Sequence, residues 1–377
     1  MIVFGIIVGL IVLVVLVVAH ELGHAIVARR NGVVVEEFGI GFPPRAWKKK
    51  LKNGVLLTLN WLPLGGFVKL QGEHDAANGK GDYGAATFWA KTKILLAGVM
   101  VNWVLAAGLL AVVSLFGMPK ILPDQFSVAS DTVAINSPVR LGDIKEGYPA
   151  AEAGFQVGDE INSIAGEPVD TVEDVIDTGT DNRGKTVTVA YTREGVGETK
   201  EVTLRDADSE VFGAGLSQER SLRATWSAPI VGVATTAQFT AATIQGVGQL
   251  ASDFFGGLVG QLTTNEQARS EARERVDRAS DSVAGPVGIL GVIFPAASES
   301  GVVEVLFLAA IISLTLAVMN VLPIPALDGG RWFVTALFKL FRKPLTKSRE
   351  EAIHGAGFMA LMALIVIITV ADVGKIL

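Results

Sequence analysis

The sequence opens with an apolar run that is almost long enough to cross a membrane and that ends in ionisable residues. Residues 2–19 carry no charge over eighteen positions, and a helix needs about 20 apolar residues to span a bilayer. His20, Glu21 and His24 follow on the same run, where ionisable side chains are costly and usually functional. The run therefore predicts a membrane helix with a polar site near one end.

These three residues have the spacing of the H-E-x-x-H pattern of zinc hydrolases. Positions i and i+4 share one face of a helix, so His20 and His24 can hold one metal ion, and Glu21 can act as a general base. The alternative is that they only mark the lipid headgroup boundary. The chain has only four histidines and no cysteine. The spacing favours a metal site, and zinc there would take nitrogen and oxygen ligands.

Charge is distributed unevenly along a very apolar chain. Half of the 377 residues are hydrophobic, and the mean hydropathy of +0.46 is typical of membrane proteins. Residues 29–93 carry 11 Lys and Arg against 5 Asp and Glu, residues 117–304 carry 14 against 28, and residues 339–349 carry only basic charges. The positive-inside rule places the two basic segments in the cytoplasm and the acidic middle outside.

Together these patterns predict a polytopic α-helical membrane protein of the inner (plasma) membrane, with its active site near the cytoplasmic side. Its transmembrane helices, about four in number, are predicted at 2–28, 94–116, 302–321 and 355–370. The predicted domains are a first membrane part (1–120), an extracytoplasmic domain (130–206), a region on the outer membrane face (207–300) and a second membrane part (301–377).

Residues 54–70 are apolar but too short and too interrupted by Pro63, Gly65 and Gly66 to span a membrane as a helix. Two short strands around a Pro/Gly turn fit better. Such a β-hairpin is predicted to associate with the membrane, and the alternative is a hairpin that stays in the cytoplasm.

Residues 133–205 have the composition of a soluble α+β domain, and the stretch from Tyr148 to Val169 resembles PDZ domains of bacterial proteases. A helix is predicted to start at Pro149, a turn at Gly154 and a strand pair closed at Gly166. PDZ domains capture peptides by strand addition, here near residues 141–144. The domain is expected either to bind a peptide or to act only as a steric gate.

Two further segments between the spans allow more than one interpretation. Residues 224–262 are apolar but interrupted by polar residues, and amphipathic helices on the outer face are preferred over a further span because an extra span would move residues 339–349 outside. Residues 264–282 are charged, which predicts an exposed helix or a linker.

Asp328 follows the third predicted span after two helix-breaking prolines. It lies eleven residues before Lys339, and His20 lies nine residues before Arg29. Both residues therefore lie at a similar depth from the inner face, on the order of 15 Å. An unpaired carboxylate there would be expensive, so we predict that Asp328 binds the same metal ion.

The chain resembles the site-2 protease family of intramembrane zinc metalloproteases, in its bacterial regulator-of-sigma-E-protease branch. The resemblance rests on motifs spread in order over the chain, namely residues 20–24, 63–66, 149–161, 285–289 and 320–330. The chain departs from the family pattern in three features. It shows one PDZ domain where some relatives have two, Val99 follows Gly98 where many relatives have proline, and the 264–282 segment is longer than usual.

The resemblance implies a zinc-dependent endopeptidase in which His20, His24 and Asp328 bind Zn²⁺ and Glu21 activates water. It implies that the hairpin pairs with substrate and that Asn320 helps to hold it, so Gly65, Gly66, Phe67, Val68 and Asn320 are the candidate substrate-binding residues. The expected partners are membrane proteins with a transmembrane helix, a PDZ ligand peptide and the lipid bilayer, with no nucleic acid.

Two other functions fit the sequence less well. An inactive membrane scaffold predicts a damaged metal motif, whereas His20, Glu21, His24 and Asp328 are all intact. A di-metal oxidase or desaturase needs more histidines than His74 and His354 add, and these two are assigned no role.

The charge distribution makes a topological prediction. A reporter fused at Lys49 or Lys343 should be cytoplasmic and one at Asn182 external, because basic loops are retained inside. Paired phosphatase and fluorescent-protein fusions measure this. A cytoplasmic Asn182 would overturn the layout.

Overall fold

The computed structural model describes residues 2–207, 210–261, 266–281 and 284–376. Its helices are α1 (Ile2–Arg30), α2 (Phe88–Phe116), α3 (Pro149–Glu152), α4 (Val172–Asp181), α5 (Ala228–Gly260), α6 (Glu266–Asp281), α7 (Pro286–Gly288), α8 (Phe294–Ser300), α9 (Val302–Val321), α10 (Asp328–Leu340) and α11 (Lys347–Ile376). Its strands are β1 (Val35–Lys50), β2 (Leu56–Leu70), β3 (Met118–Pro119), β4 (Val133–Asn136), β5 (Val139–Ile144), β6 (Glu160–Ile164), β7 (Glu167–Pro168), β8 (Thr186–Arg193), β9 (Val196–Thr203), β10 (Ala214–Ser217) and β11 (Arg220–Arg223).

Four helices of the described chain, α1, α2, α9 and α11, are long and apolar enough to cross a membrane, which suits a polytopic membrane protein. The third begins and ends as predicted. The second starts at Phe88 instead of Ile94, and the fourth at Lys347 instead of Gly355. The additional residues, 88–93 and 347–354, are mostly charged, aromatic or polar, and they extend each helix beyond its apolar part.

The prediction of a separate hairpin within residues 54–70 is wrong. Leu56–Leu70 form one bent strand that pairs with β1, and the turn between the two strands lies at residues 51–55. There the Leu51 N–H donates to the Val55 carbonyl at 2.8 Å, and Gly54 has a φ of +89°, a conformation that favours glycine.

The two ends of β2 flank β1 instead of pairing with each other. Gly39 lies opposite Phe67 in one direction and opposite Thr58 in the other. Pro63 lies between these two positions of β2 and has no N–H for a ladder hydrogen bond. The sequence showed the break at Pro63 but not the partner strand, which lies outside the segment that was predicted to fold on itself.

The GPVGI motif at residues 285–289 begins the chain of short helices formed by α7, a π-helical turn (Ile289–Ile293) and α8. The buried carboxylate of Asp372 on α11 accepts the N–H groups of Gly285 at 3.1 Å and Gly288 at 2.8 Å. An added Cβ at Gly285 would lie 2.7 Å from this carboxylate. The motif therefore provides a glycine-lined helix start that α11 can cap.

The region between α5 and α6 differs from the prediction in part. Residues 228–260 form a single 33-residue helix, α5, instead of several amphipathic helices, and this helix is not among the four candidate spans of the described residues. The charged segment is the helix α6, which packs on α5 where Gly257 meets Val276. Residues 264, 265 and 282 of that segment lie outside the described residues.

Residues 114–227 form a separate compact unit, and residues 1–113 with 228–377 form another. The smaller unit contains the predicted domain 130–206 and continues through two further strands. It has one sheet in the order β10-β5-β6-β8-β9, with β7 on β6, and a second in the order β3-β11-β4. Its core packs Phe155 against Tyr191 and Phe212.

The local predictions for this unit are confirmed, whereas the predicted groove is not free. Pro149 is the first residue of α3, Gly154 has a φ of +71°, and β6 and β7 pair across Gly166. The edge of residues 141–144 is covered, because Leu216 of β10 lies opposite Leu141. The edge strand on this side of the sheet is β10.

Candidate metal centre and active site

Two histidines of α1 point into the same space, as their i, i+4 spacing predicts. The Nε2 atoms of His20 and His24 are 3.1 Å apart, and each residue is only 7% exposed. The Nδ1–H of His24 donates to the Ile94 carbonyl of α2 at 2.7 Å. This hydrogen bond leaves a lone pair on the Nε2 atom of a neutral His24.

Asp328 reaches the histidines because the chain breaks between α9 and α10. Helix α9 ends at Val321, and Asp328 is the first residue of α10. The next two residues must be glycines, since a Cβ at Gly329 would lie 2.1 Å from the Val321 carbonyl oxygen and one at Gly330 would lie 1.9 Å from that of Ile324. This close packing brings the Asp328 Oδ2 to 3.1 Å from both Nε2 atoms.

The three side chains fit a zinc ion. At bond lengths near 2.0–2.1 Å, two ligand atoms of a tetrahedral zinc lie roughly 3.3 Å apart, close to the 3.1 Å separations of this triangle. A partly buried carboxylate oxygen and the lone pair of His24 converge here, and a cation would offset their mutual repulsion. Among the described residues, His20, His24 and Asp328 form a cluster that could hold a metal ion.

Glu21 lies between the metal cluster and the end of β2. The Cγ of Glu21 would be 3.5 Å from a Cβ at Gly66, and the Val68 N–H lies within hydrogen-bonding reach of its carboxylate. A carboxylate beside a metal site that does not belong to the ligand triangle is suited to accept and return a proton.

A cavity of about 850 Å³ opens onto these groups. One wall is the final residues of β2, and other walls come from α1, α2, α10 and α11. The lining includes Glu21, His24, Asp328, Phe67, Val68, Lys69, Leu70, Ile94, Arg331, His74 and His354. The cavity therefore joins the metal cluster to a β-strand.

The predicted substrate-binding residues divide into two groups. Phe67 and Val68 line the cavity, and Gly66 packs beside Glu21. Gly65 and Asn320 are not among the described residues that line it. Gly65 packs on Phe42, and the Asn320 amide donates to the Leu316 carbonyl one turn back in α9 at 3.0 Å.

Sequence reasoning missed the site role of Gly98 on α2. A Cβ there would lie 2.5 Å from the His24 Nε2 and 2.7 Å from the His20 Nε2. Because Gly23 of α1 also meets the Ala97 carbonyl, glycines on both helices allow α2 to pass directly beside the two imidazoles. The only sequence signal was a glycine in a small-residue stretch of a membrane helix.

Arg331, one turn after Asp328, is a second missed residue. Its guanidinium donates to the Glu73 carboxylate at 2.8 Å and to the Glu73 carbonyl, and it stacks on the buried Tyr83 ring with 4.5 Å to the ring centroid. Burial lowers the pKa of Arg331, but Tyr83 and the carboxylates of Glu73 and Glu350 outweigh it and hold that pKa above its usual range. Arg331 thus ties α10 to the chain that follows β2.

Comparison with known proteins places these observations in a family context. The profile of peptidase family M50 matches residues 8–364. The zinc metalloprotease RasP of Bacillus licheniformis is 27% identical over 449 residues, with 96% of each chain covered. The regulator of sigma-W protease RasP of Bacillus subtilis is 26% identical over 447 residues, again with 96% of each covered.

Two further similarities cover most of the chain and about a quarter of it respectively. A Clostridium perfringens protein whose name places it among the zinc metalloproteases is 32% identical over 361 residues, with 95% of each chain covered. Among solved structures, the PDZ domain of an SdrC-like protein from Listeria monocytogenes is 24% identical. It covers 24% of this chain and 93% of its own, with a TM-score of 0.19.

The packing of α2 predicts that Gly98→Ala weakens metal binding. The added methyl group would displace the imidazoles of His20 and His24, and zinc affinity should fall about tenfold or more. Zinc bound per purified chain measures this. Gly108→Ala, on the same helix with nothing within 4 Å of an added Cβ, is the matched control. Equal zinc affinity in Gly98→Ala and the wild type would contradict the prediction.

Proposed function

The chain belongs to peptidase family M50 and is a zinc metalloprotease of the site-2 type, and we propose that His20, His24 and Asp328 hold its zinc. The observation that carries this proposal is the meeting of three potential ligand atoms from α1 and α10, up to 308 residues apart in sequence, within a triangle of 3.1 Å sides. Three protein ligands leave a fourth position for water or substrate, as in catalytic zinc sites.

The proposed mechanism divides the work between the metal and the chain. Zinc bound here would supply Lewis acidity, lowering the pKa of a bound water towards about 7 and polarising the scissile carbonyl. Glu21 accepts the proton of the attacking water and then delivers it to the amide nitrogen that leaves. The Val68 N–H orients the Glu21 carboxylate, and the Ile94 carbonyl holds His24 in the ligating tautomer.

The end of β2 is proposed to hold the substrate by strand addition. The Gln71 N–H donates to the Val34 carbonyl, so the N–H groups of Leu70 and Val68 point to the opposite side by the alternation of a strand. Both residues line the cavity that contains Glu21. A substrate segment that pairs with this edge would lie next to the metal cluster with its backbone extended.

The substrates are proposed to be membrane proteins cleaved in or near a transmembrane helix. The four apolar helices support this, because a site on a membrane helix meets other membrane helices. A relative named as a regulator of sigma-W protease supports pre-cleaved membrane-bound sigma-factor regulators as a substrate class. Remnants of signal peptides are a second class with the same chemistry.

The proposed orientation places the active site near the cytoplasmic side and residues 114–227 outside. The support is the excess of basic residues in 29–93 and 339–349. The outer unit is proposed to be a PDZ domain that selects or gates substrates, with any peptide binding at the edge of β10.

The division of roles predicts different outcomes for Glu21→Gln and the ligand variants. Glu21→Gln should keep zinc but slow cleavage by about 100-fold or more, because an amide does not accept the proton. His20→Ala, His24→Ala and Asp328→Ala should lose zinc together with activity. Zinc content and cleavage of a reconstituted transmembrane substrate measure both effects. Near-normal turnover in Glu21→Gln would refute the mechanism, and full zinc in Asp328→Ala would remove it from the ligand set.

Strand addition predicts that Val68→Pro impairs cleavage of helical substrates. Of the candidate positions Phe67, Val68 and Leu70, Val68 combines an N–H directed at the cavity with a side chain outside the buried core. Val68→Pro also removes the N–H beside Glu21, which would slow all substrates alike, so binding by the strand is measured by the difference between substrates. A stable helix should be slowed about 2- to 10-fold more than a substrate that carries helix-breaking residues. Val68→Ala keeps the N–H and is the control. Wild-type rates in Val68→Pro for both stable and destabilised helices would show that the strand does not bind substrate.

A further inference from the structure

A second cavity, of about 570 Å³, lies among α2, α10 and the segment that joins α10 to α11. It shares no lining residue with the cavity at the metal cluster. Its wall is rich in lysine, with Lys339, Lys343 and Lys347 on one side. The cavity therefore lies outside the machinery proposed for proteolysis.

The cavity carries net positive charge. Lys91 and Asp75 both line it, but they neutralise each other through an ion pair of 2.6 Å. Within the described chain, Lys339 and Lys343 make no ion pair with a carboxylate, and Lys339 stacks on the Phe88 ring at 4.3 Å. Lys347 is 3.8 Å from Glu351, and both side chains are more than half exposed, so this pair is weak.

A buried hydroxyl in the same wall has no hydrogen-bond partner in the part of the chain that the structure describes. Thr335 of α10 is 7% exposed and lines the cavity, and its Oγ1 has no hydrogen-bond partner among the described residues. Buried polar atoms are normally satisfied. A ligand oxygen within this cavity would satisfy the hydroxyl.

The cavity lies at the level where two candidate membrane spans begin. Phe88 is the first residue of α2, and Lys347 is the first residue of α11, and both line the cavity. Trp89 and Trp332 neighbour Phe88, with ring centroids about 6 Å away. Trp residues concentrate at the membrane interface, so a membrane crossed by α2 and α11 would place its lipid phosphates near these lysines.

We propose that this cavity binds the phosphate headgroup of an anionic phospholipid. The ammonium groups of Lys339 and Lys343 pair with the phosphate, and the Thr335 hydroxyl bonds to a phosphate or glycerol oxygen. The acyl chains run along the apolar surfaces of α2 and α11. Basic pockets between membrane helices have the chemistry that recognises such headgroups.

The test uses the full chain purified in detergent, with phosphatidylglycerol as the probe and phosphatidylcholine as the zwitterionic reference. Native mass spectrometry measures the affinity for each lipid. The wild type should prefer phosphatidylglycerol, and Lys339→Gln with Lys343→Gln should weaken its binding by about tenfold or more. Lys48→Gln with Lys49→Gln removes the same charge from exposed residues of β1 and should leave binding unchanged.

A second pair of variants tests the hydroxyl. Thr335→Val should weaken phosphatidylglycerol binding several-fold, whereas Thr335→Ser should bind as the wild type does. All five residues lie outside the proposed catalytic site, so zinc content should stay at the wild-type level and report on folding.

Three results would overturn the proposal. In the first, the variant at Lys339 and Lys343 binds phosphatidylglycerol as tightly as the wild type. In the second, the control variant at Lys48 and Lys49 loses as much affinity, which would indicate general surface electrostatics. In the third, inorganic phosphate at equal concentration displaces the lipid, which would assign the cavity to a soluble phosphate compound.

Discussion

Asp328 of α10 meets two histidines of the apolar helix α1, and the packing of the larger unit (residues 1–113 and 228–377) depends on this contact. A carboxylate there is expensive unless a partner offsets its charge, and the partner must come from another element. Glycines in the surrounding chain allow this approach. Because Gly98 has no side chain, α2 can pack beside both imidazoles, and Gly329 with Gly330 lets α10 start against the end of α9.

The same approach couples the metal cluster to the strand proposed to bind substrate. Arg331 holds Glu73, which lies three residues beyond the end of β2, and Glu350 of α11 accepts the Asp75 N–H at 2.9 Å. A shift of α10 would therefore move a proposed zinc ligand and the chain after the strand together. In keeping with this coupling, the loop between β2 and α2 contains Tyr83, which is fully buried.

The sequence was informative where chemistry and local geometry coincide. The meeting of His20 with His24 and the helix start at Pro149 follow from helical periodicity or from Pro and Gly, and the approach of Asp328 to the histidines agrees with the position of Asp328 in the sequence. The β1–β2 sheet could not be predicted in this way. Residues 37–40 pair with both ends of β2, and local sequence patterns do not specify a pairing between residues so far apart in the chain. Gly98 and Arg331 did not follow either, since their importance comes from which element each one contacts.

One face of α10 extends from the metal cluster to the lysine-rich cavity. Asp328 and Arg331 line the first cavity, and Thr335 and Lys339 line the second. Their spacings of three, four and four residues place them on one helical stripe. Because a helix is a rigid element, a phosphate bound as proposed at its far end would act on the element that carries Asp328. A ligand shifts a conformational equilibrium only by its differential affinity for the two states. A bound lipid would therefore change the rate of proteolysis only if α10 had two positions with different affinities for the headgroup.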